Sequence, residues 1–273
     1  MSVVETQALP PALVEQFDRE GVVVLRGVFA DWIEPLREGV AALMADPSPL
    51  ERTYHPADGS APFFQDLCNW QRIPAFREFV FGSPAAALAA QLMRSRVARF
   101  FHDHVLVKEP GTSVVTPWHH DKPYYCVGGE QSVSLWIPLD PVAQEISLEC
   151  VAGSHRWNVL HRPKRFDGTD LYQNDDATEM PDIEGQRDQY TIRRWAMAPG
   201  DAVAFDFRTV HGAAANLAGG HRRRVFSARW VGDDAVFIDR HGKGSPPLSH
   251  LTLKDGEPLD GPDFPVVLDR ARA

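Results

Sequence analysis

Turn residues divide the chain between residues 97 and 231 into short segments, and this division most constrains the fold. Within the segments apolar and polar residues alternate, as in half-buried strands, and pairs such as Asp140-Pro141 and Gly153-Ser154 end them. The segments that we predict as strands are residues 97–108, 114–121, 132–139, 146–151, 189–196, 202–207 and 222–231. Seven or so short strands joined by turns predict a mainly β protein, a β-sandwich or jelly roll.

The chain before these strands has mostly helical spacing. Asp31 has the position of an N-cap, with Glu34 as its capping-box partner, and residues 22–25 are a single predicted strand. The four predicted helices end near Gly21, Met44, Phe81 and Met93. The jelly roll is therefore expected to carry α-helices at its N-terminal side.

No internal repeat and no linker separates these parts, so we predict one domain over residues 1–273. It divides into a helical portion (about 1–95), a jelly-roll core (about 96–235) and a peripheral, Pro- and Gly-rich tail (240–273). A polar stretch without periodicity, residues 162–188, is long for a loop, and loops of that length are usually functional or mobile.

Charge and composition limit the partners and the compartment. The net charge of −9 argues against binding to nucleic acid or to an anionic membrane. No apolar run approaches the ~20 residues of a membrane helix, and residues 1–10 lack the features of a secretory signal. The three cysteines form no CxxC pair, which is typical of a reducing compartment. We expect a cytoplasmic protein that acts on a small molecule.

The strongest chemical signal is a pair of predicted metal ligands two residues apart. Side chains alternate along a strand, so His119 and Asp121 are predicted to share one face and His120 to point to the other. His211 follows the strand at residues 202–207 and can supply a third ligand. Two histidines and one carboxylate are the facial triad of non-haem Fe(II) oxygenases.

This ligand set leaves three positions open on an octahedral iron. A 2-oxo acid can chelate two of them and O₂ can take the third. The far carboxylate of the acid then needs a cation, and arginine offers a bidentate fork that stays charged. Arg222, eleven residues after His211, is the predicted anchor, whereas Arg223 is predicted to point to the opposite face of its strand.

Other candidate residues have two interpretations each. His102 and His104 share a strand face and could form a second metal pair, but Asp103 points away from them; His155 has the position of a turn residue. A basic run is either an anion-binding surface or a solvated loop: His155, Arg156, His161, Arg162, Lys164 and Arg165. Four aromatic residues either line the pocket or belong to the core: Phe64, Tyr124, Tyr125 and Phe207.

Several separate motifs in a fixed order resemble one family. The matching segments are residues 17–25, 108–111, 119–121, 135–139, 153–156 and 199–212, with Arg222. Over most of its length the chain resembles the phytanoyl-CoA dioxygenase family of Fe(II)/2-oxoglutarate-dependent oxygenases. The resemblance implies a double-stranded β-helix with Fe(II) between its two sheets, 2-oxoglutarate as cosubstrate, and Trp136 near that cosubstrate.

The chain departs from this family at two places. The family often has Ser or Thr two residues after the distal histidine, where a hydroxyl helps to bind the cosubstrate carboxylate, and here Ala213 stands there. The family also often has an Asn-Gly pair before its Gly-Ser-His turn, and residues 145–149 lack it. Neither departure changes a predicted iron ligand.

These observations predict an Fe(II)/2-oxoglutarate-dependent dioxygenase, a hydroxylase in which His119, Asp121 and His211 hold the iron. Related halogenases have Gly or Ala in place of the carboxylate, so Asp121 favours hydroxylation, or desaturation, over chlorination. Two alternatives remain from other classes: a non-catalytic jelly-roll binding protein, and a zinc hydrolase with the same three ligands. In the hydrolase, Arg222 would have no obvious role.

Overall fold

A computed structural model describes residues 8–165, 169–171, 177–217, 220–241 and 243–271. Within these ranges the helices are α1 (Pro11–Glu20), α2 (Ile33–Ala45), α3 (Pro74–Gly82) and α4 (Ala85–Leu92). The strands are β1 (Val22–Leu25), β2 (Phe63–Leu67), β3 (Val97–Lys108), β4 (Thr116–His119), β5 (Ser132–Pro138), β6 (Leu148–Val151), β7 (Ile192–Arg193), β8 (Ala202–Phe205), β9 (His211–Ala213), β10 (Arg223–Val231) and β11 (Val266–Asp269). The predicted segment before residue 8 and parts of the polar stretch 162–188 lie outside the described residues.

The strands form two antiparallel sheets that face each other as a jelly roll. The larger sheet has the order β1-β8-β5-β10-β3-β11, and β2 pairs with the second half of the long strand β3. The smaller sheet has the order β4-β9-β6-β7. The predicted fold class, a mainly β jelly roll with N-terminal helices, is confirmed.

Strand β10 shows how the larger sheet separates a core from a cavity. Phe226 packs on the helices, with its ring centroid 4.7 Å from that of Phe76 and 5.2 Å from that of Phe79. Full burial of a side chain of this size contributes about 1.5–3 kcal/mol. The alternate residues of β10 point to the other face and line a cavity between the sheets: Arg223, Val225, Ser227 and Arg229.

The C-terminal tail is not peripheral, which corrects the sequence-based prediction. Its last strand, β11, pairs with the first residues of β3 and so extends the larger sheet. Phe264 and Leu259 are fully buried in a cluster that includes Tyr125. The tail therefore supports the back of the cavity wall.

Three local predictions were also wrong. Asp31 makes no capping hydrogen bond, because a 3₁₀ turn (Ala30–Trp32) precedes α2 and Glu34 pairs with Arg37 instead. Strand β2 was not predicted, and the strand expected at residues 189–196 is reduced to β7.

No helix in the described ranges is both long and apolar enough to cross a membrane.

Candidate active site

The two predicted histidine ligands lie side by side on neighbouring strands of the smaller sheet. His119 ends β4 and His211 begins β9, and the two residues are direct partners in the sheet register. Asp121 Oδ1 lies 3.8 Å from His119 Nε2 and 3.9 Å from His211 Nε2. The ligand atoms of the three side chains all lie within 4.8 Å of one another. One metal ion fits between them.

Hydrogen bonds hold both imidazoles in the tautomer that a metal requires. His119 Nδ1 lies 2.8 Å from the carbonyl of Pro117, and His211 Nδ1 lies 2.9 Å from the carbonyl of Thr209. A carbonyl only accepts, so each Nδ1 donates and each Nε2 keeps a free lone pair. Burial lowers the pKa of both rings, that of His211 to about 3, so both are neutral at pH 7.

Asp121 reaches the site from a turn and not by strand alternation, which corrects the predicted geometry. Strand β4 ends at His119, and Asp121 begins a helical turn. Burial would raise its pKa, but Arg229, whose Nε lies 3.6 Å from Oδ2, acts together with the two histidines and Tyr125, and the pKa falls to about 2. Ser134 Oγ also donates to Oδ2, at 3.1 Å. The carboxylate is thus ionised and oriented.

The other histidines have different roles. His120 is buried, and its Nε2 accepts the backbone N–H of His161 at 3.0 Å, which ties the segment after β6 to the site. His104 Nε2 pairs with Gln65 Oε1 at 2.8 Å. Within the described part of the chain, His119, Asp121 and His211 are the only group of three suitable metal ligands, and neither His102 nor His104 belongs to it. His155 lies in the 3₁₀ turn Ser154–Arg156, as predicted.

A cavity of about 280 Å³ extends from this group between the two sheets. Trp136, Phe205 and Val225 belong to the apolar cluster beneath it, and all three line the cavity. Tyr124 and Tyr125 line the cavity, whereas Phe64 and Phe207 are core residues. Three further aromatic residues that line the cavity were not predicted: Tyr54, Phe63 and Trp118.

Arg222 lies outside the cavity, contrary to the prediction. It precedes β10, is nearly half exposed (46%), and its Nε donates to Glu109 Oε2 at 2.8 Å. The predicted anchor lies one residue too early in the chain. The prediction started the strand at Arg222, whereas β10 begins at Arg223. The third arginine of the run, Arg224, pairs with Asp140 at 2.6 Å.

Arg223 occupies the place that was predicted for Arg222. It lines the cavity, is buried (5% exposed), and donates to the backbone carbonyls of Ile146 and Ala214. Burial alone lowers its pKa, to about 10, which leaves it charged at pH 7. No carboxylate among the described residues pairs with it. A buried guanidinium that points into a cavity without a counter-charge is a site for an anion.

Two further residues at this end of the cavity were missed by sequence reasoning. Lys108, at the end of β3, lines the cavity and is buried (2% exposed). Asn216 Nδ2 donates to the carbonyls of Lys108 and His221, both at 3.1 Å, and so joins the end of β3 to the loop before β10. The sequence held one signal for Lys108, because the predicted strand at residues 97–108 ends in this charged residue.

The basic run beside the cavity mouth is largely neutralised. Arg162 and Lys164 pair with Glu179 at 3.2 and 2.8 Å, and Arg162 lies 3.5 Å from Asp170. Tyr124 Oη bonds to the backbone of Lys164 and holds this segment near the metal group. The run therefore behaves as an ion-paired loop and not as an open anion-binding surface.

Solved structures with the same fold cover nearly the whole chain. The epimerase SnoN from nogalamycin biosynthesis, in complex with Fe3+, alpha ketoglutarate and nogalamycin RO, is 22% identical, with a TM-score of 0.76 over 94% of this chain and 98% of that one. The carbocyclase SnoK is 22% identical, with a TM-score of 0.74 over 94% and 96%. EctD from S. alaskensis is 15% identical, with a TM-score of 0.67 over 98% and 89%. No curated sequence relative matches the chain.

A jelly roll with a buried His-Asp-His group defines the class of two-histidine, one-carboxylate iron oxygenases. Residues 17–225 match the family model described as Phytanoyl-CoA dioxygenase (PhyH). The chain belongs to this family of Fe(II)- and 2-oxoglutarate-dependent oxygenases. The predicted family, cofactor and cosubstrate are thereby confirmed, and the neutral imidazoles, the ionised carboxylate and the unpaired Arg223 fit both groups.

Proposed function

We propose that the protein is a hydroxylase in which His119, Asp121 and His211 bind Fe(II). The overall reaction converts a C–H bond, O₂ and 2-oxoglutarate into C–OH, succinate and CO₂. The observation that carries this proposal is the ionised carboxylate of Asp121 between two neutral imidazoles. Bound iron supplies the activation of O₂ and of the 2-oxo acid. The protein supplies coordination, orientation and exclusion of water.

The residues around the ligands fix their protonation states. The carbonyls of Pro117 and Thr209 keep the Nε2 atoms of the two histidines available, and Arg229 keeps Asp121 ionised. Three donor atoms are therefore ready to bind a metal without proton release. Because the pKa values of all three groups are lowered, this arrangement supports metal binding below pH 7 as well as at pH 7.

We assign the far carboxylate of 2-oxoglutarate to Arg223 in place of Arg222. The support is burial, the missing counter-charge, and the position of Arg223 on the cavity face of β10. Trp136, in the apolar cluster beneath the cavity, is proposed to pack against the carbon chain of the cosubstrate. An apolar wall strengthens the charge pair because it lowers the local dielectric constant.

The substrate is proposed to be a small organic molecule that binds beside the metal group, where Trp118 and Tyr124 line the cavity. The cavity has the size of a small-molecule site, and the structural neighbours include enzymes of nogalamycin biosynthesis. The three unpaired cysteines, of which Cys126 and Cys150 are buried, support a cytoplasmic location. Asp121 fills the ligand position that is vacant in related halogenases, which favours hydroxylation over chlorination. The product test below separates hydroxylation from the epimerisation and ring closure of these neighbours.

Isotope labelling tests this function in two stages. Without substrate, the Fe(II)-loaded enzyme should convert 2-oxoglutarate under ¹⁸O₂ into succinate with one ¹⁸O atom. A protein that binds without catalysis, or a zinc hydrolase, would form no labelled succinate. In a substrate screen with chloride present, the product should gain one ¹⁸O atom. A chlorinated product, or labelled succinate with a product that contains no new oxygen, would contradict hydroxylation.

A further inference from the structure

Gln65 and His104 form a polar pair in the cavity wall near the metal group. Gln65 lies on β2 and His104 on β3, and both side chains line the cavity that the metal group also lines. Gln65 is buried (4% exposed), although glutamine is mostly an exposed residue. Burial lowers the pKa of His104 well below its usual range, and the charges of Arg229 and Asp121 also act on the ring. The ring is therefore neutral at pH 7 and close to the metal group.

The pair offers the cavity one hydrogen-bond donor and one acceptor. His104 Nε2 lies 2.8 Å from Gln65 Oε1, and a carbonyl oxygen only accepts, so Nε2 donates and Nδ1 keeps a lone pair. With the amide turned the other way, the two residues exchange these roles. Among the described residues, neither Gln65 Nε2 nor His104 Nδ1 has a hydrogen-bond partner, and the protein encloses neither atom completely. Both atoms are therefore open to a ligand in the cavity.

Ser227 adds a hydroxyl to this polar group. It lies directly opposite His104 in the register of β3 and β10, where side chains are about 4.5–5.5 Å apart. Ser227 lines the cavity, and its buried Oγ has no hydrogen-bond partner in the described part of the chain. The next residues across the sheet are apolar, Leu67 on β2 and Trp136 on β5. An unpaired buried hydroxyl is costly, and apolar surroundings strengthen any hydrogen bond that a ligand makes there.

The charges on this side of the cavity do not favour an ionic ligand. Arg229 lies 3.6 Å from Asp121, and Arg162 and Lys164 pair with Glu179. Two further arginines in the lining are exposed to solvent: Arg52 and Arg165. An anion would gain little from paired or solvated cations, and the lone pair of the polar pair would repel it. The polar pair is therefore better suited to an uncharged group.

We propose that Gln65 and His104, together with Ser227, bind hydroxyl groups of an uncharged substrate and so select alcohols over acids and amines. This inference rests on the proposed function of the cavity, because the bound hydroxyls would hold the carbon skeleton beside the metal. A hydroxyl both donates and accepts, whereas a carboxylate cannot donate and an ammonium group cannot accept. A ligand of the wrong kind leaves one buried polar group of the pair without a partner, and this loss produces the selection.

Three probes that share one carbon ring test the selection. Protein loaded with Mn(II) and 2-oxoglutarate is titrated calorimetrically with trans-cyclohexane-1,2-diol, with cyclohexanecarboxylate and with cyclohexylammonium. The diol should bind about 10-fold more tightly than either ion. Gln65→Leu removes the amide with little change in volume, and it should lower the affinity for the diol about 10-fold. The affinities for the two ions, for Mn(II) and for 2-oxoglutarate should be unchanged.

A second variant gives an answer even if Gln65→Leu does not fold. Gln65→Glu keeps an acceptor for His104 Nε2 but replaces the amide donor with a negative charge. The preference of the site should then shift toward cyclohexylammonium by about 10-fold. Gln186→Leu and Gln186→Glu make the same changes at an exposed position, and both should match the unmodified protein.

The ratio of probe affinities separates recognition from a structural role. The inference is overturned if the unmodified protein shows no preference for the diol, including the case in which no probe binds. It is also overturned if the preference persists in both Gln65 variants, or if these variants weaken all probes and Mn(II) equally. Failure of the unmodified Mn(II)-loaded protein to bind 2-oxoglutarate would instead contradict the proposed function, and the probes would then be compared with Mn(II) alone.

Discussion

The two ends of the cavity differ in how their charges are balanced. At the metal end, Arg229 and two neutral imidazoles surround the buried carboxylate of Asp121. At the cation end, Lys108 and Arg223 have only carbonyl oxygens and a ring as partners. The metal end is electrostatically complete before any ligand binds, whereas the cation end is complete only with an anion.

This difference determines what each end contributes to binding. At the metal end, hydrogen bonds to Pro117, Thr209 and Ser134 orient the three ligand side chains before a metal ion binds. At the cation end, binding of a carboxylate relieves the cost of two buried charges. Without 2-oxoglutarate, removal of one cation should reduce the repulsion between Lys108 and Arg223 and should cost the fold little stability. With 2-oxoglutarate bound, the same removal should weaken its binding.

Loss of a ligand at the metal end should have the largest effect. His211→Ala is expected to abolish iron binding and turnover, since two ligands cannot form the facial set. His120→Ala should keep its iron, because that ring contacts the backbone of His161 instead. Metal analysis after anaerobic reconstitution gives the answer, and a normal iron content in His211→Ala would refute the assignment.

The cation end should respond next, and only at one of two adjacent arginines. Arg223→Met should weaken 2-oxoglutarate binding by about 2–5 kcal/mol, the typical cost when one partner of a buried charge pair is removed. Arg222→Met should change it little, because Arg222 pairs with Glu109 on the outer surface. Iron content should be normal in both variants. Calorimetric titration with 2-oxoglutarate that found Arg222→Met to be the weaker binder would reverse the two roles.

The two ends were not equally predictable from the sequence. His119, Asp121 and His211 were found because a His-x-Asp run is local and has a chemical meaning. The alternation along β10 was predicted correctly, but its start was not, since the length of the preceding loop does not fix where pairing begins. An error of one residue along a strand exchanges the cavity face for the outer face. Arg222 was therefore predicted as the cosubstrate anchor in place of Arg223.

Long-range packing explains the other differences. Lys108 is a strand-end lysine in the sequence, and only the approach of β9 and β10 makes it a buried cation. Strand β2 is buried at every position, so it has no alternation to detect. The tail has the composition of a loop, yet Phe264 enters the cluster behind Tyr125. These are tertiary contacts, which local periodicity does not encode.

Asn216 should connect stability to the cation end. Its side chain donates to the carbonyls of Lys108, Glu109 and His221. Asn216→Ala removes these hydrogen bonds from a fully buried position, and we expect a loss of about 1–3 kcal/mol in the free energy of unfolding, with a smaller loss of 2-oxoglutarate affinity than in Arg223→Met. Urea unfolding and calorimetry measure the two effects, with the exposed Gln186→Ala as control. Unchanged stability would show that this clamp is not needed.

The smallest expected change is a gain, and it tests the departure from the family at Ala213. Ala213 is buried beside the cavity, so Ala213→Ser directs a hydroxyl toward the two cations without a large change in volume. One new hydrogen bond to a carboxylate should raise 2-oxoglutarate affinity about 2- to 10-fold. Ala215→Ser, outside the cavity lining, is the matched control. If Ala213→Ser does not improve binding, a hydroxyl at this position does not reach the far carboxylate of 2-oxoglutarate.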